Sequence, residues 1–401
     1  MFFLAILLGL VFLGWVALGT FVYWSVKGGT VLRPGSYPEL AACPPKVSIL
    51  VPARNEAEIL SAVLESLLCL DYPDFEIILV NDCSTDATGQ IAEEWAARPE
   101  GQGKLRVIQN RDLPADWTGK VHSLSLAADA ATGEWLLATD ADVLFHPDAL
   151  RCAVAYATER DLQLLSIAPE CELASFWEKM VMPVSFLFLL LWYPPRLVNN
   201  PRSKRAAAAG AFILMRRKEF KSLGGYQCLR SVLLEDIGTA QLFKHHYLRT
   251  HLAMSRGLLQ TRMYRGWHEI WEGLCRNAFE GVGYSVSRLL MNVMMGNLLT
   301  LLPWTALVAL TLCFPWLKVT PAYVLAFSMA LAACAIGGLI YLPVLKALRV
   351  PVLFVLTIPL SALVVSAASW HSAWSSLYGK GVPWKNRHYR QQPKVGCRKR
   401  S

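Results

Sequence analysis

The chain has 401 residues, of which 54% are hydrophobic and 17% are charged, and its formal net charge is +9. This composition is too apolar for an average soluble protein. The excess positive charge lies in the two flanks, because no Asp or Glu precedes Glu39 or follows Glu280. The middle of the chain is slightly acidic and so lacks the basic face that nucleic-acid binding requires. We therefore expect a membrane-associated protein with no nucleic-acid partner.

Residues 2–24 carry no charge and are long enough to cross a bilayer. A signal peptide is the alternative, but a basic start, a shorter apolar core and a small-residue cleavage site are not evident. We therefore predict an uncleaved transmembrane anchor over residues 1–26. Lys27 and Arg33 follow the anchor and place the middle of the chain in the cytoplasm, because positive charge is retained on that side.

Strand and helix patterns alternate from about residue 46 to residue 170. The strands read KVSILVPA, FEIILV, KLRVIQ, EWLLAT and LQLLSIA, and amphipathic or capped helical segments separate them. The first helix is predicted to begin at Asn55 as N-cap, with Glu58 three residues later. Continuously apolar strands that alternate with helices indicate a mostly parallel α/β sheet covered on both faces. Ligands bind such sheets beyond the carboxyl ends of the strands.

Polar residues stand at three of these strand ends, and we expect them on one rim of the sheet. They are Pro52, Arg54, Asn55 and Glu56 after the first strand, Asp82 after the second, and Asp140 and Asp142 after the fourth. Taken singly, Asn55 could only cap its helix and Asp82 could only build a turn. Asp140 and Asp142 point the same way on an extended chain and are spaced to hold one hard divalent ion. We interpret the whole set as a ligand site.

The region from 171 to 280 is less regular. Residues 176–195 could span a membrane, but charges and prolines at their ends favour an interfacial helix lying in the membrane plane. A helix is predicted to start at Glu235 and Asp236, and a Trp-rich amphipathic helix follows Arg262 and Arg265.

The carboxyl-terminal region, residues 285–372, holds about three further apolar runs, at 289–313, 321–345 and 350–370. Residues 373–401 form a basic tail, which we expect in the cytoplasm. An odd number of spans after a cytoplasmic domain would place the tail outside. One run is therefore predicted not to cross fully, and 289–313, with Asn292 and Asn297, is the candidate.

The motifs VPARNE, VNDCSTD, TGK, TDAD and LLED occur in that order over roughly 46–280. In this combination the chain resembles the family 2 glycosyltransferases of GT-A fold. The anchor, the segment RMYRGWHEIWEG and the tail GKGVPWKNRHY resemble the membrane branch that contains ceramide glucosyltransferases and the hopanoid- and carotenoid-associated transferases. The resemblance implies a GT-A domain over 46–280 whose donor is a nucleotide sugar, with UDP as the expected nucleotide.

The resemblance also implies a role for each matching residue. The donor-binding residues would be Pro52, Arg54, Asn55, Glu56, Asp82, Lys120 and Asp140, with Lys120 near the diphosphate. Asp140 and Asp142 would bind Mg²⁺ or Mn²⁺, and Asp236 would be the catalytic base. Residues for the acceptor or the diphosphate would be Gly210, Glu235, Arg262, Arg265 and Trp267. One departure concerns the QxxRW motif of processive members, because Gly266 stands where Trp is expected and Trp267 comes one residue later.

We therefore expect an inverting transferase, bound to the bacterial inner membrane, that moves one sugar to a lipid hydroxyl. The lipid would be a glycolipid, hopanoid or carotenoid type. Two alternatives stay open at this stage. A processive polysaccharide synthase would need enough spans to form a channel. A non-catalytic subunit would bind a nucleotide sugar without turning it over.

Overall fold

The computed structural model describes residues 1–37, 40, 43–316 and 318–379, together with the backbone of 382–384 and 387–389. The chain forms two compact units that interleave along the sequence. The helical unit comprises Met1–Lys27, Leu173–Pro194 and the described residues between Tyr264 and Arg390, and the sheet unit comprises Gly28–Glu172 and Pro195–Met263. The domain boundaries predicted from the sequence stay predictions.

Strands and helices alternate through most of the sheet unit. The strands of the chain are β1 (Val31–Leu32), β2 (Val47–Ala53), β3 (Phe75–Asp82), β4 (Leu105–Asn110), β5 (Trp135–Ala138), β6 (Val143–Phe145), β7 (Leu164–Ala168), β8 (Glu170–Cys171), β9 (Ile213–Arg216), β10 (Thr250–Ser255), β11 (Leu259–Thr261), β12 (Val382–Trp384) and β13 (Arg387–Tyr389). The helices are α1 (Phe2–Val26), α2 (Leu60–Leu68), α3 (Thr88–Ala97), α4 (Gly119–Ala130), α5 (Ala149–Glu159), α6 (Phe176–Trp192), α7 (Pro195–Val198), α8 (Arg217–Ser222), α9 (Glu235–His245), α10 (Trp267–Gly281), α11 (Val286–Cys313), α12 (Pro321–Ala347) and α13 (Ile358–Tyr378).

The sheet unit is built on an eight-stranded sheet of order β1-β10-β7-β9-β5-β2-β3-β4. Strand β9 is antiparallel to β5 and β7, and the other neighbouring pairs of this sheet are parallel. Successive side chains of β2 enter two different cores, Ile49 on one face and Leu50 on the other. This alternation explains why the strand is apolar throughout. The mostly parallel sheet predicted from the sequence is confirmed.

The helix after β2 begins later than predicted. Asn55 has φ 52°, so it lies outside the helical region, and α2 begins only at Leu60. The Asn55 side-chain oxygen accepts a hydrogen bond from the backbone N–H of Thr85 at 2.9 Å. The prediction of Asn55 as N-cap was therefore wrong, because its amide holds the turn after the neighbouring strand instead of the start of its own helix.

The helical unit contains helices that are long and apolar enough to cross a membrane. By length and composition, the described residues hold 5 such segments: Phe2–Val26, Phe176–Val198, Val286–Trp316, Pro321–Ala347 and Val352–Tyr378. The predicted amino-terminal and carboxyl-terminal helices are confirmed as helices of this kind. The predicted position of α6 in the plane of the membrane interface stays a prediction.

Two polar side chains inside the helical unit donate hydrogen bonds to a neighbouring helix. The indole N–H of Trp15 in α1 donates to the carbonyl oxygen of Leu299 in α11 at 2.9 Å. Ser366 in α13 donates to the side-chain oxygen of Asn297 at 3.0 Å. The half-buried amide of Asn297 thus has a hydrogen-bond partner on another helix. The basic tail predicted to be cytoplasmic lies outside the described residues beyond Gly379, apart from the backbone of β12 and β13.

Candidate active site

The predicted rim exists because β5, β2 and β3 are parallel neighbours. Their register pairs Leu50 with Ala138 and Ala53 with Asn81, so the three carboxyl ends lie side by side. Asp82 ends β3, and Asp140 follows β5 by two residues. The structure therefore brings the strand-end residues of the sequence prediction to one edge of the sheet.

Lys120 lies at the centre of this edge. It is the second residue of α4, and its ammonium is 2.6 Å from Asp140 Oδ1 and forms a second ion pair with Glu235 Oε1. Burial acts to lower the pKa of Lys120, but Asp140 and Glu235 outweigh burial and hold it above its ordinary value. The ammonium therefore stays charged and joins the rim to the first residue of α9.

Asp236, the predicted base, follows Glu235 and is half-buried. Burial, and then repulsion by Glu235, raise the pKa of Asp236 to about 7, although Lys120 acts to lower it. Within the described residues its carboxylate accepts one hydrogen bond, from the backbone N–H of Ile237 at 2.7 Å. A carboxyl group that titrates near neutral pH can take up a proton from a hydroxyl during reaction.

Gly210 approaches the ion pair so closely that a side chain there would require Asp140 or Lys120 to shift. A Cβ atom at Gly210 would lie 3.1 Å from Asp140 Oδ2 and 3.2 Å from Lys120 Nζ. The hydroxyl of Thr139 donates to the carbonyl oxygen of Ala211 at 2.8 Å and fixes this segment beside β5. The structure thus brings Gly210 to the same cluster as Lys120 and Asp140.

Arg54 and Asp82 organise the other half of the edge. Arg54 donates to the carbonyl oxygens of Asp82 and Cys83 at 2.7 and 3.2 Å. The backbone N–H of Glu56 donates to the hydroxyl of Thr88 at 2.8 Å, and Pro52 pairs with Val80 in the sheet. An open cleft beside these turns is lined by Asn81, Cys83, Ser84, Gln109, Asn110 and Arg111.

The remaining predicted residues are divided between the two units. Arg262 follows β11 in the sheet unit, whereas Arg265 and Trp267 belong to the helical unit at the start of α10. The Trp267 ring packs 4.8 Å from the Trp177 ring, between centroids. The roles of these three residues in acceptor or diphosphate binding stay predictions.

Asp140 and Asp142 offer only oxygen donors, which suits Mg²⁺ or Mn²⁺. Within the described part of the chain, no group of three or more His, Cys, Asp and Glu side chains is arranged to hold a metal ion. Two carboxylates fit a hard divalent ion that takes its other ligands from phosphate oxygens and water. Asp142 also lies near Cys171, where burial first and then this carboxylate raise the thiol pKa to about 12.

Sequence reasoning did not find three residues of the site. Asn110 ends β4 and donates to Asp82 Oδ1 at 3.0 Å, and His122 in α4 contacts Asn110. Tyr226 is buried, and burial first and Glu235 second raise the pKa of its phenol. The strand-end rule would have indicated Asn110, whereas His122 and Tyr226 carry no signal in the sequence.

Comparison with known proteins agrees with this geometry. The profile of "Glycosyl transferase family 2" matches residues 48–224. A 4,4'-diaponeurosporenoate glycosyltransferase of Staphylococcus aureus is 23% identical over 59% of this chain, and the chain spans 62% of that relative's length. The poly(ribitol-phosphate) beta-N-acetylglucosaminyltransferase TarS of S. aureus is 32% identical over 30% of this chain and 20% of its own length.

A solved structure shares the fold. It is the mannosyltransferase PcManGT of Pyrobaculum calidifontis, in complex with GDP-Man and Mn²⁺. Its TM-score is 0.53 and its sequence is 20% identical, and the likeness covers 90% of this chain and 99% of that one. The expected GT-A fold is therefore confirmed, and residues 48–224 of this chain are a family 2 glycosyltransferase domain.

Proposed function

We propose that the protein is a membrane-bound inverting glycosyltransferase that moves a sugar from a nucleotide sugar to a lipid hydroxyl. The observation that carries this proposal is the cluster at the carboxyl edge of the sheet. There Lys120 pairs with Asp140 and Glu235, beside Asp236, whose pKa is about 7. The cluster combines a charge for a diphosphate with a group that can accept a proton.

Donor binding uses the charges of this edge. The Lys120 ammonium is the group that would pair with the diphosphate, because it remains charged and lies where the strands end. Asp140 and Asp142 would hold Mg²⁺ or Mn²⁺, which would supply positive charge to the departing diphosphate when bound. Gly210 leaves room for the diphosphate beside Asp140, because a side chain there would meet both members of the ion pair.

The transfer is a single displacement. The acceptor hydroxyl oxygen forms a bond to the anomeric carbon, and the bond from that carbon to the phosphate oxygen breaks. The electron pair of the broken bond leaves with the nucleoside diphosphate, and the hydroxyl proton goes to the Asp236 carboxylate. One displacement inverts the anomeric centre, so an α-linked donor gives a β-glycoside.

The acceptor class is inferred from the membrane helices and from a relative. The candidate spans are long and apolar enough to cross a membrane, which supports a lipid environment for the chain. The 4,4'-diaponeurosporenoate glycosyltransferase is, by its name, a carotenoid-type transferase, and we extend a lipid acceptor of this or the glycolipid type to this chain. For the donor, UDP is the nucleotide expected from the sequence. We place the catalytic unit on the cytoplasmic face of a bacterial inner membrane.

The test uses membranes that contain the full-length protein. They are incubated with UDP- and GDP-sugars labelled in the sugar, and the lipids are extracted into organic solvent. We expect label in the extracted lipid from at least one donor, with release of the matching nucleoside diphosphate. Nucleotide sugar that binds but yields neither extracted label nor released diphosphate would instead indicate a non-catalytic subunit. Label that enters a polymer insoluble in organic solvent would indicate a processive synthase.

A further inference from the structure

Two segments that follow candidate membrane helices in the chain meet along one edge of β10. The side-chain amide of Asn199 pairs with the backbone of Leu252 on this edge. It accepts a hydrogen bond from the Leu252 N–H at 2.7 Å and donates to the Leu252 carbonyl oxygen at 2.9 Å. Alternate N–H groups of a strand point to the same edge, and the N–H of Met254 donates to the carbonyl oxygen of Thr30 at 2.9 Å. Thr30 closely follows α1 in the chain and Asn199 closely follows α6, so both connections enter the sheet unit side by side.

The two segments are also tied to each other through the ring of His251. Its Nε2 lies 3.0 Å from Thr30 Oγ1 and 3.2 Å from Asn199 Nδ2. Next to Asn199, the carbonyl oxygen of Val198 accepts a hydrogen bond from the ammonium of Lys244, near the end of α9. These contacts hold the chain that follows α6 at a defined place on the sheet unit.

The segment at this place carries positive charge only. Residues 196–205, which we call the basic loop, contain four charged side chains, and all four residues are exposed: Arg196, Arg202, Lys204 and Arg205. No Asp or Glu occurs between Glu178 and Glu219. Among the described residues, no acidic side chain forms an ion pair with Arg202 or Lys204. The positive charge of the basic loop is therefore not neutralised within its own sequence.

Local hydrogen bonds give the basic loop a defined backbone. The N–H of Arg202 donates to Asn200 Oδ1 at 2.9 Å, and the N–H of Arg205 donates to Ser203 Oγ at 3.1 Å. The N–H of Ser203 donates to the carbonyl oxygen of Asn200 at 3.0 Å. Short polar side chains thus satisfy the backbone, and the long cationic side chains do not take part in these turns.

We propose that the basic loop binds the anionic headgroups of the bilayer surface and so fixes the sheet unit at the membrane. A Lys or Arg close to an anionic bilayer strengthens binding roughly fivefold, and clusters of four or more beside a membrane helix are typical of this function. The attraction is limited to about one Debye length, so it needs a surface close to the loop. The bilayer is such a surface, because two connections from candidate membrane helices enter at this edge. The inference rests on one part of the proposed function, the membrane-bound state.

Two other roles of the basic loop make different predictions. If the loop is only a solvated surface, its backbone amides exchange with deuterium at the same rate whatever the charge of the lipid. If it binds headgroups, anionic lipid slows this exchange, because the bound loop opens less often. If it is instead a pocket for a single phosphate group, soluble glycerol phosphate slows the exchange as well.

The experiment measures hydrogen–deuterium exchange in residues 196–205 of the full-length protein in lipid nanodiscs. One preparation contains phosphatidylcholine alone, and in the other phosphatidylglycerol, an anionic lipid, replaces one third of it. We expect phosphatidylglycerol to slow exchange in the basic loop roughly tenfold or more, as the attraction of two or more cations predicts. At about 0.5 M NaCl the slowing should be largely lost, because salt screens the attraction.

Matched variants separate charge from shape. Arg202→Gln combined with Lys204→Gln should remove most of the slowing by phosphatidylglycerol. Lys218→Gln combined with Lys221→Gln removes two exposed charges from α8 instead and should keep the slowing in full. Arg202→Lys, which retains the charge, should also keep it. Exchange in β5 is measured in each variant and should match the parent if the fold is intact.

Three results would overturn the inference. They are equal exchange of the loop in both lipid compositions, equal slowing by glycerol phosphate in phosphatidylcholine, and full slowing in the Arg202→Gln, Lys204→Gln protein. The readout needs no sugar donor, so it is independent of catalysis. Sugar transfer without any dependence of exchange on lipid charge would refute this inference alone. Dependence on lipid charge without sugar transfer would refute the proposed transferase activity and leave this inference standing.

Discussion

Replacing Lys120 by Gln removes the one cation that the described structure places between Asp140 and Glu235. The Glu235 side chain is 8% exposed, so it would be left as a buried carboxylate without its counter-ion. Breaking a fully buried pair costs about 3–5 kcal/mol. The Asp140 end is 35% exposed and is screened by water, so we expect a total loss of roughly 2–3 kcal/mol.

This loss should depend on pH with a definite sign. Lys120 acts to lower the pKa of Asp236, so its removal raises that pKa further from its value of about 7. Carboxyl groups with raised pKa values favour the folded state when protonated, so stability is lost as the pH rises through those values. The variant should therefore be most impaired above pH 7 and should recover towards the parent in acid.

The assay is thermal unfolding at several pH values, combined with calorimetric titration of UDP and GDP. We expect a midpoint lower by roughly 5–10 °C above neutral pH, and a nucleoside diphosphate bound roughly tenfold or more weakly, because a charge-assisted contact is lost. Lys218→Gln, at an exposed position of α8, is the matched control and should change neither quantity. A Lys120→Gln protein with the parent's midpoint at pH 8 and the parent's affinity would refute the role of Lys120 as shared counter-ion.

Three further predictions concern the same edge of the sheet. Gly210→Ala places a methyl group 3.1 Å from Asp140 Oδ2, so donor affinity should fall several-fold. The control Gly281→Ala has nothing within 4 Å of its Cβ position and should bind donor normally. Equal donor affinity of the two variants would contradict a functional role for the close approach of Gly210 to Asp140. Asp142→Ala should weaken nucleotide-sugar binding in the presence of Mn²⁺ and abolish transfer. If the unaltered protein binds the nucleotide sugar equally well with and without EDTA, the mechanism does not use a metal ion. The kcat/KM for transfer should fall as the pH drops through about 7, because Asp236 must be ionised to accept a proton; a flat profile down to pH 5 would exclude Asp236 as the base.

The parallel core and the strand-end residues could be predicted from sequence because both follow from local patterns. Apolar strands separated by helices indicate a covered parallel sheet, and ligands bind at the carboxyl ends of its strands. That rule alone placed Asp82 and Asp140 on one edge. The start of α9 was also predictable, since an acidic pair opening a helix complements the positive end of the helix dipole.

The rest depends on contacts between distant segments, which no local pattern encodes. The Asn55 amide holds the turn at Thr85, 30 residues away, so the capping pattern was misleading there. The Lys120–Glu235 pair joins the starts of α4 and α9, and only the folded chain shows that these two residues are paired. Asn110 and His122 are likewise brought to Asp82 from separate elements. Strand β9 pairs antiparallel with β5, and nothing in the sequence of β9 indicates this position or direction in the sheet.

The central claim is that Asp236 takes the proton from the acceptor hydroxyl, and one measurement tests it most directly. Transfer of labelled sugar to extractable lipid is followed for Asp236→Asn and Glu235→Gln, with donor affinity measured on the same preparations. Asn is nearly isosteric with Asp but cannot accept the proton. The account predicts donor binding close to that of the parent and transfer lowered by roughly 10²–10⁴ in Asp236→Asn. Glu235→Gln should mainly weaken donor binding, because Glu235 pairs with Lys120. Near-normal transfer by Asp236→Asn would contradict the account.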